Sequence, residues 1–199
     1  MGEKIVVCDI ETTCLKPTDY NAAIFEICCA FMDGHELQEV KTWQIETELS
    51  PNARSLIKRL RGLKELPPKV WTGEPLGQVA RDMKKRLSAF FSTEYSKDWS
   101  MIAFNAEFEK SWLARKPFII LGGAWKYCLM LNSMVTMKEA GALQYNEFYN
   151  SYKWPKLSET LDFFKIVNEF AHTAEGDVMA EVAVLRRLME DIGFWPKEV

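Results

Sequence analysis

Near its start the chain runs Lys4-Ile-Val-Val-Cys-Asp-Ile-Glu11, a β-branched apolar stretch that ends in two acids. An uninterrupted apolar run of this length predicts a strand over 4–10 that is buried on both faces. In a strand, residues i and i+2 project from the same face, so Asp9 and Glu11 stand side by side. Two carboxylates on such a strand are costly unless water, a cationic side chain or a metal ion receives them. The acidic end of this buried strand must therefore stay open to water, a paired side chain or a cation.

The remaining pattern fits a mixed sheet. Residues 22–31 read as a second strand and 39–47 as a third, with the hairpin signal Asp33-Gly34 between them. Helical spacing follows over 52–61 and 77–91. Residues 100–104 read as a short strand, and 106–114 as a short helix behind Asn105, a good capping residue. Residues 118–121 suit a strand or a helix–loop end before Gly122-Gly123, and 125–130 a further strand. Helical patterns return at 132–140, 157–165 and 174–192, the last with Val178, Val182, Leu185, Leu188, Met189 and Ile192 on one face. The Tyr/Asn-rich stretch 141–156 reads as a structured loop. Three consecutive strands followed by alternating strands and helices predict an α/β domain spanning 1–199.

The 199 residues carry a net charge of −3 and 48% hydrophobic residues, which excludes a disordered chain. No apolar run is long enough for a membrane span, and Met1-Gly2 is followed by neither a leader pattern nor a myristoylation signal. A cytoplasmic, membrane-free protein is expected. The five cysteines, Cys8, Cys14, Cys28, Cys29 and Cys128, have no zinc-type spacing and read as reduced thiols, mostly small buried hydrophobes. The mild acidity argues against non-specific coating of nucleic acid. That average hides a division, because residues 54–86 hold ten basic and three acidic residues (+7), leaving −10 for the rest. The basic stretch is either a set of solvated helix faces or a phosphate-tracking rim.

Two further acidic groups stand out. In Asn105-Ala-Glu-Phe-Glu109, Asn105 and Glu109 share a helix face, while Glu107 points elsewhere. In His172-Thr-Ala-Glu-Gly-Asp177, a histidine able to titrate near neutrality sits beside an acid at a helix start.

Taken in order, these segments resemble the DEDDh subgroup of the DnaQ-like 3′–5′ exonuclease family. Val7-Cys-Asp-Ile-Glu-Thr-Thr-Cys-Leu15 is similar to that family's Asp-x-Glu-Thr-Thr-Gly-Leu, and Ile24-Phe-Glu-Ile27 to its Ile-Ile-Glu-Ile. Phe104-Asn-Ala-Glu-Phe-Glu109 resembles His-Asn-x-x-Phe-Asp, and the 172–177 segment fits His-x-x-x-x-Asp. The resemblance spans nearly the whole chain. It implies a ribonuclease H-like fold with a five-stranded mixed sheet flanked by helices. It also implies two divalent cations, Mg²⁺ or Mn²⁺, held by Asp9, Glu11, Glu109 and Asp177, with His172 as general base. Thr12, Thr13 and Leu15 would lie against the terminal nucleotide, Asn105 and Phe108 would shape the site, and Glu26 would support the sheet. The implied activity is hydrolysis from a nucleic-acid 3′ end, DNA before RNA, releasing 5′-mononucleotides. Single-stranded DNA is the first-choice substrate, and a polymerase or repair protein is an open possibility as partner.

The chain departs from the family pattern in four places. Glu109 stands where Asp is usual, Cys14 where Gly is, Phe104 where His is common, and Tyr127-Cys128 where many members have Asp-Thr. These departures leave two alternatives: a non-catalytic nucleic-acid-binding or scaffold member of the same fold, and an exoribonuclease. The tryptophans, Trp71, Trp99 and Trp154 among them, are assigned to core packing rather than base stacking. Oligomeric state is not legible.

Overall fold

The computed structural model describes residues 3–118 and 124–192, the last two by backbone only. The segment 119–123, where a strand or helix end was open, and the Ile192 side chain lie outside the described residues.

The chain begins with β1 (Lys4–Thr12), β2 (Ile24–Asp33) and β3 (Glu36–Gln44), each antiparallel to the one before it. The Asp33-Gly34 turn joins β2 to β3, with Gly34 at φ 60°, where a side chain would be strained. The expected third strand, 39–47, starts earlier and breaks at Ile45, and Thr47–Glu48 forms a separate short strand, β4. Then follow α1 (Pro51–Leu60), β5 (Val70–Trp71), α2 (Leu76–Phe91), a 3-10 turn at Ser96–Asp98, β6 (Met101–Ala103) and α3 (Ala106–Leu113). Next come β7 (Trp125–Cys128) and α4 (Leu129–Glu139). The expected strand over 125–130 thus turns helical at Leu129. The 141–156 stretch is more than a loop: β8 (Tyr145–Asn146) and β9 (Ser151–Tyr152) pair as a small hairpin. Last are α5 (Leu157–Phe164) and α6 (Ala174–Ile192).

The main sheet has the order β3-β2-β1-β6-β7, with β1, β6 and β7 parallel. The central position of β1 explains its apolar run, since Ile5, Val6, Val7 and Cys8 are all fully buried. Alternation sends Val6, Cys8 and Ile10 to one face, where Val79, Met83 and Leu87 of α2 and Trp112 of α3 cover them. Ile5 and Val7 face the other side, against Val178, Val182 and Leu185 of α6. Asp9 and Glu11 continue that second series, so the pleat aims both acids at α6. This mixed sheet, covered by helices on both faces, is the ribonuclease H-like α/β architecture.

Cys8, Cys28, Cys29 and Cys128 are buried, Cys14 is half-buried, and all five are free thiols. Trp99 packs in the core as expected, but Trp154 does not, being 64% exposed. Among the described residues, no helix is long and apolar enough to cross a membrane.

Candidate metal centre

Asp9, Glu11 and Asp177 meet at the open end of β1. One carboxylate oxygen from each lies within 4.8 Å of the others. Asp177 reaches them from the first turns of α6, which lies across β1 and β2. Glu26 on β2 fixes that helix start. Its carboxylate accepts the Ala174 backbone N–H at 3.2 Å and the Gln44 amide at 2.5 Å, and it pairs with Arg61. A carboxylate at a helix N-terminus is favoured by the dipole. Glu26 therefore docks the helix that carries Asp177, consistent with a supporting place in the sheet.

The sequence did not single out Arg61. The residue closes α1, and its guanidinium lies 5.4 Å from the ring centroids of both Phe25 and Trp71. It bridges Glu26 and Glu11, which sit directly opposite each other on β2 and β1, with Nη2 3.8 Å from Glu11 Oε1. Like charges so placed repel, and Arg61 compensates both. The basic stretch 54–86 thus delivers one cation into the site. Arg86 pairs with Glu39 and Asp82, and Lys69 with Glu48, all near the surface.

Electrostatically the site is overloaded with negative charge. Burial pushes the Glu11 carboxyl up to about 8, against an opposing pull from Arg61. Burial raises Glu109 to about 8 as well. Asp9 is raised well above the usual carboxylate range by burial and by Glu181, Glu109, Glu11 and Asp177. Asp177 is raised by burial, and the bonds from Asn168 and His172 oppose this. Glu181, one turn beyond Asp177 on α6, is raised well above its ordinary value by burial and then by Glu109. Sequence reasoning missed Glu181, although its i+4 spacing from Asp177 was the available signal.

Glu109 is 4% exposed at the start of α3, and the three-residue group within 4.8 Å does not include it. Its Oε2 and that of Glu181 have no hydrogen-bond partner among the described residues. Buried carboxylate oxygens without donors, next to three converged acids, form an all-oxygen set that suits a hard divalent cation.

His172 is exposed, in the left-handed region at φ 64°. Its backbone N–H donates to Asp177 Oδ2 at 3.1 Å, while Asn168 Nδ2 donates to Oδ1 at 2.8 Å. Asp177 thus shapes the 168–172 loop that presents the histidine. Gly176 lets that loop approach closely, since a Cβ there would meet the Phe170 carbonyl oxygen at 2.1 Å.

The hydroxyls expected against a nucleotide are tied to the loop after β1. Thr12 Oγ1 donates to the Cys14 carbonyl at 2.7 Å, and Thr13 Oγ1 to that of Asn21 at 2.7 Å. Leu15 projects from this loop, 83% exposed. Asn105 occupies the cap position of α3, but its side chain makes no capping bond. It lines a surface pocket of about 320 Å³ with Lys110, Lys126 and Trp154. Phe108 is half-buried and tilts against Trp112. A larger pocket of about 660 Å³ opens beside the acids, between Glu26, Phe170, Glu175 and Met179.

Comparison with solved structures bears on the fold. Cell-death related nuclease 4 (CRN-4) superposes with a TM-score of 0.67 at 14% identity, over 96% of this chain and 65% of that one. E. coli exonuclease I in complex with a dT13 oligonucleotide gives 0.65 at 13% identity, over 94% of this chain and 41% of that one. The chain has the fold of these nucleases. A zinc-bound complex of E. coli exonuclease I with single-stranded DNA gives 0.64 at 15% identity, covering 96% and 41%. The chain spans less than half of the exonuclease I length and about two thirds of CRN-4. No protein-family model matches it, and no curated protein sequence does.

Proposed function

We propose that this chain is a divalent-metal-dependent 3′–5′ exonuclease that removes 5′-mononucleotides from a nucleic-acid 3′ end, with single-stranded DNA as the preferred substrate. The observation that carries this reading is the convergence of Asp9, Glu11 and Asp177 at the open end of β1, in a fold shared with exonuclease I. Two divalent cations, Mg²⁺ or Mn²⁺, bound by Asp9, Glu11, Glu109 and Asp177 would activate water and neutralise the leaving 3′ oxygen. The side chains provide the rest. His172, on an exposed loop braced by Asp177, accepts the proton of the attacking water. Arg61 keeps Glu11 oriented. Leu15 and the loop held by Thr12 and Thr13 border the terminal nucleotide, with Asn105 and Phe108 on the opposite side.

The preference for single strands draws support from the oligonucleotide complexes of exonuclease I and from exposed Trp154, whose ring can stack on an unpaired base. The test uses 5′-labelled single- and double-stranded DNA and RNA with Mg²⁺, Mn²⁺ or chelator. A ladder shortening from the 3′ end of single-stranded DNA only when metal is present is the expected result. Cutting of a circular substrate, or cleavage in chelator, refutes it.

One observation favours a non-catalytic member of the fold. Both oxygens of Asp177 are engaged within the chain, and Glu11 leans on Arg61. That reading predicts oligonucleotide binding without metal-dependent shortening.

A further inference from the structure

Trp154 is 64% exposed although the chain on both sides of it is fixed. The Lys153 backbone N–H donates to the Gln144 carbonyl at 2.9 Å, Pro155 is buried, and the Glu159 carboxylate accepts the Lys156 N–H at 2.9 Å. The indole is thus held out in a set place, which lowers the ordering cost of binding to it. It lines the pocket of about 320 Å³ together with Asn105, Lys110 and Lys126. Neither lysine forms an ion pair among the described residues, although Lys126 is half-buried on β7. Glu107, exposed in the first turn of α3, is the one acid among the described lining residues, so two cations face one carboxylate.

The pocket continues the metal centre along one edge of the sheet. β1, β6 and β7 are parallel, so the acidic end of β1, Asn105 just past β6, and Cys128 at the end of β7 stand in a row. Ala106, Cys128 and Met130 line the pocket and belong to the core on the sheet face that carries Asp9 and Glu11. Two strand spacings, about 10 Å, separate β1 from β7. A stacked strand advances about 3.4 Å per phosphate, so the pocket falls roughly two to three nucleotides from the acids. Asn105 is common to both places: it borders the terminal nucleotide in the reading above and also lines this pocket.

Given the exonuclease reading above, on which this step rests, we infer that this pocket is the subsite for the nucleotides that precede the 3′-terminal one in an unpaired strand, with Trp154 stacked on a base and Lys110 and Lys126 on the phosphates. Stacking is indifferent to base identity because every base has a π-face, and phosphate contacts carry no sequence information. The subsite therefore adds affinity without sequence preference. A duplex does not satisfy it, since paired bases stay stacked on their neighbours and must be extruded to be reached. Selection for single strands is then made here, away from the carboxylates. A lysine on β7 could instead guard the edge strand of the sheet, but that role needs neither Lys110 nor Trp154 beside it.

The test is binding of a short 5′-labelled oligothymidylate to the full chain, followed by fluorescence anisotropy in Mg²⁺ and in EDTA. Phosphorothioate linkages at its 3′ end resist cleavage during the measurement. Trp154→Ala should weaken binding about tenfold, and Trp154→Phe, which keeps a stacking face, should recover most of the loss. Lys110→Gln and Lys126→Gln should each flatten the slope of log affinity against log salt by about 0.7, the share of one phosphate on a single strand. Phe148→Ala is the control: that ring is 88% exposed on the β8–β9 hairpin but does not line the pocket, and the variant should bind as wild type does. Circular dichroism checks the fold of every variant. Wild-type affinity in Trp154→Ala, an unchanged salt slope in both lysine variants, or an equal loss in Phe148→Ala overturns the subsite. The exonuclease reading is then decided separately, by metal-dependent shortening of an unmodified strand by the wild-type chain. Binding with the expected variant effects but without that shortening upholds the subsite and overturns the exonuclease reading.

Discussion

Removing divalent cations should make the protein less stable as pH rises. Glu11 and Glu109 have ordinary values of 4.5 and are held near 8 in the fold. A carboxyl raised by folding binds its proton more tightly in the native state than in the unfolded chain. Its contribution to stability is therefore complete below about pH 4.5, falls through the interval, and is lost once pH passes about 8. Within the interval each extra bound proton is worth ~1.4 kcal/mol per pH unit. One to two such protons give a slope of about 1–3 kcal/mol per pH unit, shared across the acids because they titrate together. Between pH 5.5 and 7.5 the loss is about 2–6 kcal/mol, which for a chain of this size lowers the melting temperature by about 4–24 °C. Melting followed by circular dichroism in EDTA at constant ionic strength measures it. Millimolar Mg²⁺ or Mn²⁺ should flatten the slope, because cations replace the protons and stabilise the native state by mass action. A flat or rising EDTA curve over that range refutes the electrostatic account of the site. Identical curves in EDTA and Mg²⁺ refute the metal assignment.

Other expectations are independent of that slope. Asp9→Asn should abolish metal-dependent cleavage while keeping the melting temperature in chelator, since burial and the acids around it already favour an uncharged side chain there; retained cleavage counts against the assignment. Arg61→Met strands Glu26 and Glu11 without their counter-charge and should cost about 3–5 kcal/mol in denaturant unfolding, whereas a loss under 1 kcal/mol shows the bridge to be idle. His172→Ala should slow cleavage by on the order of 10²–10⁴, while His172→Gly, equally slow, should be the more stable of the two because its φ suits glycine. Gly176→Ala drives a methyl into the Phe170 carbonyl and should impair cleavage through the displaced 168–172 loop, with Mn²⁺ binding at Glu11 less affected than turnover.

Much of this was legible because the decisive signals are local. The apolar run of β1 predicted a buried strand, its period of two placed Asp9 and Glu11 together, and the 172–177 segment was read at the start of the last helix. The missing parts are long-range or depend on competition between donors. Arg61 was one of ten basic residues, and only its approach to Glu26, 35 positions away, distinguishes it. Asn105 has the chemistry of a cap but leaves the helix end uncapped by its side chain, facing a pocket instead. The strand at 125–130 changes to helix inside one apolar run, where hydrophobicity alone cannot choose between the two. Trp154 carried no neighbouring pattern to say that it would stay outside. Glu181 was hidden among the charged residues of a helix read only by its apolar positions, Val178 and Val182 among them.

The distance in sequence between the parts of the centre has a consequence for how the protein is made. The contact of Glu26 with Ala174 joins positions 148 residues apart, and Asp9 waits for Asp177 and Glu181. A nascent chain emerging from the ribosome can pair β1, β2 and β3 early, since those strands are consecutive. It cannot assemble the carboxylate cluster until α6 has been synthesised and docked. Cleavage by the proposed metal centre therefore waits for that long-range contact to form.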